Sequence, residues 1–535
     1  MAVAATTTAQ NTVEAARFGA SSINGTARYR SMAGAFGALG GDPTCMTDNP
    51  AGLAIYRSSN LVTITPHYSN TGTETLGSET QKTGSNSFGV SNLAAIFSFK
   101  TPDSDNLVNF TMGIGFNRNH GLDAEYFSVL DDTRGSFGNY LTNQANDYLN
   151  GKVNADFAFD WGNSGTLAPF LSMMAYGNPK HGSQGHEYGC YAIIDNPDNP
   201  KEVIDPMGAS PSYQRMTVKE RSHNDEFNIS GAWNINDLFF IGATMSITDF
   251  SSTIWTEFSE DYSYDYDKSY IYYDNTFESK GSGFGFNLGM MWMPIDSWRI
   301  GAAVHSPRWT TITENYVGSM VTDYENTDWC SFSDSWKYDI SSPWEYQFST
   351  AYIIGTRGLI SLEYDARDFS TMRYAENQSF YVDKGYFNDA NATIQDYLKV
   401  QHTLKVGGEY RIDKQWSVRA GYAFVSSPYT EASRKGYIIP ESEVKWGNYR
   451  DDTDTNINNL VYYSSTKPNY HTLDNQYYVT CGAGWRDKQW YIDAAFMYHH
   501  SLYHAAAYPD DFSLCEPIDV NLNDKTFDLT LGYRF

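Results

Sequence analysis

Six ionisable residues stand at positions where an alternating strand would turn them away from its apolar face: Glu363, Asp365, Lys405, Glu409, Arg419 and Asp493. Such groups can build an acid–base or nucleophilic constellation, or they can pair across neighbouring strands inside a shared wet interior. The chain holds no Gly-x-Ser-x-Gly, His-Glu-x-x-His or Gly-Lys-Ser/Thr segment. No nucleophile elbow, zinc helix or phosphate loop is therefore in view, and covalent catalysis is not expected. Pairing is the expectation. Glu363, Glu409 and Arg419 fall on consecutive strand segments and form a candidate charge network, with Arg28 or Arg30 as its partner from the N-terminal segment.

Two other groupings have ligand chemistry. His181, His186, Glu187 and Cys190 are metal-binding types, but their spacing fits no standard site. Asp452-Thr-Asp-Thr-Asn-Ile-Asn458 has the alternating oxygens of a calcium loop, yet Ile457 stands at its sixth position and Tyr463 at its twelfth, where glycine and glutamate are needed. No metal or cofactor is expected. The five cysteines form no close pair and are too scattered for a disulfide scaffold, although one loop disulfide in an oxidising compartment is open.

The elements that position these residues are strands. The chain of 535 residues carries 41 Tyr, 30 Phe, 13 Trp and 43 Gly with only 19% charged residues, and its mean hydropathy is −0.49. That balance suits a β-protein with one wet and one greasy face. A formal charge of −26 excludes a nucleic-acid partner, whose binding needs a basic surface. No apolar run is long enough for a transmembrane helix, which leaves transmembrane strands open.

Period-two alternation marks fourteen segments, at 61–69, 86–99, 106–117, 225–235, 238–256, 282–294, 297–313, 344–354, 358–370, 400–411, 415–426, 475–485, 489–500 and 525–535. Their connectors alternate in length. Short turns such as Asn236-Asp237, Gly355-Thr-Arg357 and Arg486-Asp-Lys488 are followed by long segments at 70–85, 118–224, 257–281, 314–343, 371–399, 427–474 and 501–524. An up-and-down barrel in an outer membrane places its long loops on one side in this way. The last segment sets Phe527, Leu529, Leu531, Tyr533 and Phe535 against Asp528, Thr530, Gly532 and Arg534. Its greasy side faces out and its polar side in, the reverse of a soluble barrel. The expected fold is an all-β, 14-stranded antiparallel transmembrane barrel with both termini periplasmic.

Ahead of the first strand lies Ser31-Met-Ala-Gly-Ala-Phe-Gly-Ala-Leu-Gly-Gly-Asp-Pro-Thr-Cys-Met-Thr-Asp-Asn-Pro-Ala-Gly-Leu-Ala-Ile-Tyr56. Its small residues allow close backbone approach to a wall, and Asn49-Pro50 marks a turn. This stretch is expected to plug the barrel. The organisation is then residues 1–10 as a signal-peptide remnant or flexible terminus, 11–58 as the plug, and 59–535 as the barrel with its large loop at 118–224. Within that loop Phe170, Leu171, Met173 and Met174 form either a capture site for apolar ligands or the loop's own small core. The acidic, Tyr-dense run Asp261–Asp274 suits a solvated hairpin extension. Gly281, Gly283 and Gly285 are expected to pack against the plug.

Four stretches carry a resemblance: Gly34-Ala-Phe-Gly-Ala38 with Asp48-Asn-Pro-Ala-Gly-Leu53; 283–307; Val406–Arg411 with Ser417–Phe424; and the final strand. On these the chain resembles the FadL-like outer-membrane transporters of long-chain fatty acids and other hydrophobic compounds. The resemblance implies a Gram-negative outer-membrane barrel with a periplasm-side hatch, surrounded by lipid and lipopolysaccharide and passing hydrophobic small molecules passively. Substrate would leave when the hatch shifts or through a lateral wall opening. The hatch motif is carried onto Asn49, Pro50, Ala51, Gly52 and Leu53, with Phe36 beside it. The alternative is a non-transporting barrel that serves as a subunit or docking platform in a larger outer-membrane complex.

Overall fold

Fourteen antiparallel strands close on themselves, and the N-terminal segment fills the interior. The computed structural model describes residues 12–57, 60–101, 106–120, 124–131, 135–149, 176–177, 193–204, 211, 213–264, 267–323, 327–377, 387–434, 470–506 and 518–535. The strands are β1 Leu61–Leu76, β2 Thr80–Lys100, β3 Leu107–His120 continued by Ala124–Asp131, and β4 Tyr213–Ile235. Next come β5 Phe239–Tyr264, β6 Asp267–Ile295, β7 Trp298–His305 with Trp309–Asp323, and β8 Thr327–Ser341 with Glu345–Ile354. The wall continues as β9 Gly358–Asp368 with Arg373–Glu376, β10 Val400–Arg411, β11 Trp416–Val425, β12 Tyr470–Arg486, β13 Trp490–Ala506 and β14 Ile518–Arg534. Closure is the β1–β14 ladder, from Leu61 opposite Arg534 to Leu76 opposite Asp519.

The alternation sets the faces. Ile241, Met245, Leu288, Phe348, Val479 and Phe527 are exposed on the outside, where lipid covers them. Trp233, Trp292, Trp298, Trp416 and Trp490 ring the end with the short turns. Those turns are tight because Asn236, Asp237 and Gly355 take left-handed backbone at φ 55°, 57° and 56°. All six inward charges named from the sequence are buried inside.

Three stretches read as long loops are strand instead. Residues 257–264 and 267–281 belong to the β5–β6 ladder, which runs to Tyr264 opposite Asp267. Residues 314–343 hold the β7–β8 ladder up to Asp323 opposite Thr327, and β1–β2 reach Leu76 opposite Thr80. Loop 118–224 likewise contains the end of β3 and the start of β4. In these extensions tyrosine and serine occupy both faces, so polarity does not alternate even though burial does. Phe258, Tyr262, Tyr273, Phe277 and Tyr316 point inward; Phe258 and Tyr273 pack with Phe137 of a helix, Phe137–Leu149, and Phe277 packs with Tyr316. The extension is held by its own aromatic core.

Three adjacent strands are interrupted side by side, β7 at 306–308, β8 at 342–344 and β9 at 369–372. Pro307 and Pro343 lack the N–H a ladder needs. A further correction concerns β6: a Cβ at Gly281 or Gly283 would meet the Thr311 or Trp309 carbonyl oxygen of β7 at 2.5 Å, and one at Gly285 would meet Arg308. These glycines serve the wall, because β6 has by then risen past the plug.

Candidate functional site

The plug is built from short elements: α1 Thr12–Gly19, α2 Ala27–Arg30, and 3₁₀ turns at Pro43–Met46 and Pro50–Ile55. Each turn starts at a side-chain cap with proline behind it. Asp42 accepts from the Thr44 N–H and Asn49 from the Ala51 N–H. Gly34, Gly40 and Gly41 take φ of 74°, 64° and 67°, which lets the chain fold back on itself.

A belt of inward glycines on the wall receives this segment. A Cβ at Gly113 would meet Met46 at 2.8 Å, at Gly242 the Pro50 backbone at 2.3 Å, and at Gly289 the Asn49 Oδ1 at 2.0 Å. On the far side Gly301 meets the Gly37 carbonyl at 2.5 Å, Gly407 and Gly421 meet Met32 at 2.6 and 2.4 Å, and Gly482 meets Ser31 at 2.5 Å. At Gly242, Gly301, Gly407 and Gly421 the wall thus lies directly against the plug backbone. The residues singled out from the sequence fall in this contact. Asn49 Nδ2 donates to Gly37 O at 2.7 Å and to Met290 O of β6 at 3.1 Å. Pro50 and Ala51 face Gly242; Gly52 abuts Cys45 and Gly40; Leu53 is buried with Met46, Phe240 and Met291. Phe36 is buried 5.5 Å from Tyr29, under the Arg28 guanidinium.

Polar ties fasten the plug at three places. Glu409 of β10 meets Arg419 of β11 at 2.7 Å, Arg419 meets Asp493 of β13 at 2.6 Å, and Arg28 reaches Glu409 at 3.3 Å. Glu363 of β9 belongs to a second cluster: it accepts the Phe36 and Gly37 N–H groups at 3.1 and 2.6 Å and pairs with Lys405 at 2.7 Å. In the same cluster Gln347 donates to Asp48 at 2.8 Å. Burial, then the charges of Glu363 and Asp365, hold the Asp48 carboxyl well above the usual carboxylate range. Arg30, offered from the sequence as a partner of the first network, sits elsewhere, between Asp528 at 2.7 Å and Thr526 at 2.9 Å. Alternation gave the inward direction of each charge; the partner choice depends on where the plug backbone lies.

Two adjoining cavities lie between α1, the rest of the plug and the wall. The first, about 180 Å³, has an apolar part at Phe18, Phe250, Leu473 and Met497 and a charged part at Arg17, Arg30, Glu220 and Asp524. The second, about 150 Å³, shares Phe18, Asn224, Gln401 and Tyr478 with it and is bordered by Asp48, Asp365, Lys405 and Arg367. The second also touches Ser306, Arg308, Ser342 and Pro343 at the interruption of β7 and β8. On the outer side α1 closes the first cavity, packed with Phe369, Met372, Tyr374 and Tyr429 and with Ile394 of the helix Asn388–Tyr397. The sequence reading missed Phe250 and Tyr478, which carry no motif and differ from other strand aromatics only in facing inward. Phe170, Leu171, Met173 and Met174, the calcium-like loop and the His181–Cys190 group lie outside the described residues. Cys45 is a buried free thiol and Cys481 an exposed one.

A closed barrel with apolar exterior, aromatic ring and filled lumen is an outer-membrane barrel of the channel type. The model of the outer membrane protein transport protein family (OMPP1/FadL/TodX) matches residues 212–457, from β4 through β11, and the chain is FadL-like. In fold it is similar to a Pseudomonas aeruginosa FadL homologue, at 12% identity and TM-score 0.53, covering 96% of this chain and 99% of that one. It is also similar to the Pseudomonas putida toluene transporter TodX, at 10% identity and TM-score 0.51, covering 96% and 99%. No curated protein matches the chain.

Proposed function

We propose that this chain takes hydrophobic molecules passively across the outer membrane, with residues 12–57 as a hatch that must shift before the lumen conducts. The observation that carries this reading is the pair of adjoining cavities between plug and wall, one with an apolar part at Phe250, Leu473 and Met497 and the other reaching the interrupted strands β7 and β8. An elongated apolar ligand, of which a long-chain fatty acid is one kind, would bury its chain against Phe250, Leu473 and Met497. The resemblance supports two exits, past the hatch or sideways through the interruption. The wall begins and ends at the short-turn end, where Asn60 and Phe535 exchange backbone hydrogen bonds, and this end is assigned to the periplasm. No chemical step is assigned to the chain.

The test is purification from native membranes in mild detergent, followed by mass spectrometry of everything retained. An apolar molecule held by the intact chain and lost on deletion of residues 49–53 supports the channel. A barrel that is always empty and always accompanied by the same proteins would support a docking platform instead.

A further inference from the structure

The second cavity is unusual for a route taken by hydrophobic molecules, because carboxylates outnumber cations around it. Asp48, Glu226, Glu345 and Asp365 border it, and Glu363 stands behind Lys405. The cations are already engaged. Arg308 pairs with Glu226 at 3.3 Å, Arg367 with Glu345 at 2.6 Å, and Lys405 with both Glu363 and Asp365 at 2.7 Å. His305 Nδ1 stands 3.8 Å from Glu345. Three buried oxygens lack a hydrogen-bond partner here, Asp48 Oδ2, Asp365 Oδ1 and Asn224 Oδ1. Asn224 Oδ1 is an acceptor, as are the Asp48 and Asp365 oxygens once ionised, and a buried acceptor left unmet is unfavourable. Among the described lining residues the unmet nitrogens are Arg308 Nε and His305 Nε2. The Arg308 guanidinium already donates through both its terminal nitrogens, to Asn287, Ser306 and Glu226.

We infer that the ligand of this barrel is an amphiphile whose head donates hydrogen bonds, an alkyl ammonium or alcohol, and that a carboxylate head is disfavoured. The inference rests on the channel reading. The tail would lie along Phe250, Leu473 and Met497 in the first cavity, whose Arg17 and Arg30 are paired with Glu220 and Asp528, and the head would enter the second beside Asp48 and Asp365, since the two spaces share Phe18, Asn224 and Tyr478. A donor head meets the orphaned oxygens, and an ammonium also offsets the charge that Asp48 takes on when it ionises. A carboxylate would bring another acceptor and another negative charge to cations that are already paired.

The experiment is equilibrium dialysis of the full chain in nanodiscs against radiolabelled dodecylamine, dodecanol, dodecanoate and dodecane, with empty nanodiscs subtracted. The amine is expected to bind about tenfold or more tighter than the carboxylate, with the alcohol between them. Asp48→Asn and, separately, Asp365→Asn are expected to bring the amine-to-carboxylate ratio toward one. Heat-dependent mobility in gels checks that each variant barrel is folded. Dodecanoate binding as tightly as dodecylamine would overturn the head assignment while leaving the channel reading standing. If none of the four bound, dodecane included, the channel reading would fall and this inference with it.

Discussion

Gly407 and Gly408 are neighbours on β10 that face opposite sides of the wall, so alanine at each separates plug docking from barrel stability. A Cβ at Gly407 would lie 2.6 Å from the Met32 carbonyl oxygen and 2.8 Å from its Cβ. One at Gly408 would meet only the Leu359 carbonyl oxygen, at an ordinary 3.6 Å. To restore normal contact at position 407 the plug must retreat by roughly 1 Å, and overpacking of that kind costs about 1–3 kcal/mol. The strand cannot yield, because β10 is laddered along its length to β9 and β11. The penalty therefore falls on the docked plug and multiplies the displaced population by roughly 5–150. Planar-bilayer conductance reads this directly: Gly407→Ala should raise the open fraction, and Gly408→Ala should match the wild type. Equal conductance of the two variants, or a leak confined to Gly408→Ala, would refute the docking argument.

Three further outcomes follow from the same contacts. Arg419→Glu with Glu409 intact leaves three carboxylates together where Arg419 now joins Glu409 and Asp493. Breaking a buried pair costs about 3–5 kcal/mol, so the variant should lose its folded gel mobility at a lower temperature and show more basal leak; an unchanged leak would detach this network from the hatch. Asp48 bears on pH. Burial raises its carboxyl when the plug is docked, so the docked state binds the proton more tightly and loses stability as pH climbs from the ordinary carboxylate range through the raised value. Leak should accordingly grow between acid and mildly alkaline pH, and Asp48→Asn should flatten that slope; a wild-type slope of the opposite sign would reject it. Cys45 supplies a reporter, because burial closes it off and pushes its thiol up. With Cys45 as the sole cysteine it should resist a polar maleimide until Gly407→Ala is added, and fast labelling in the parent would place the plug elsewhere.

Much of the fold was legible in the sequence because the lipid-facing side of a barrel repeats one simple demand. Phe527, Leu529 and Leu531 alternate with Asp528 and Thr530, and that pattern alone gives strand, outward face and inward charge. The small-residue plug was legible too, since Gly34 to Gly41 suit a backbone that must pass close to a wall. The reach of the strands beyond the membrane was not, because Tyr273 reads the same in sequence whether it faces water or Phe137.

Composition and periodicity determined the architecture, the sign of the faces and the segment that fills the lumen, since each depends on residues near one another along the chain. Pairing across the interior was decided by tertiary structure alone. Glu363 was grouped with Glu409 and Arg419 by strand order, yet its carboxylate is held by Lys405 and by the backbone of Phe36 and Gly37. Arg28 took the place open to either arginine, and Arg30 went to Asp528. The acidic cavity draws on residues from Asp48 to Lys405. No local pattern encodes such a meeting; it exists only once the wall has closed around the plug.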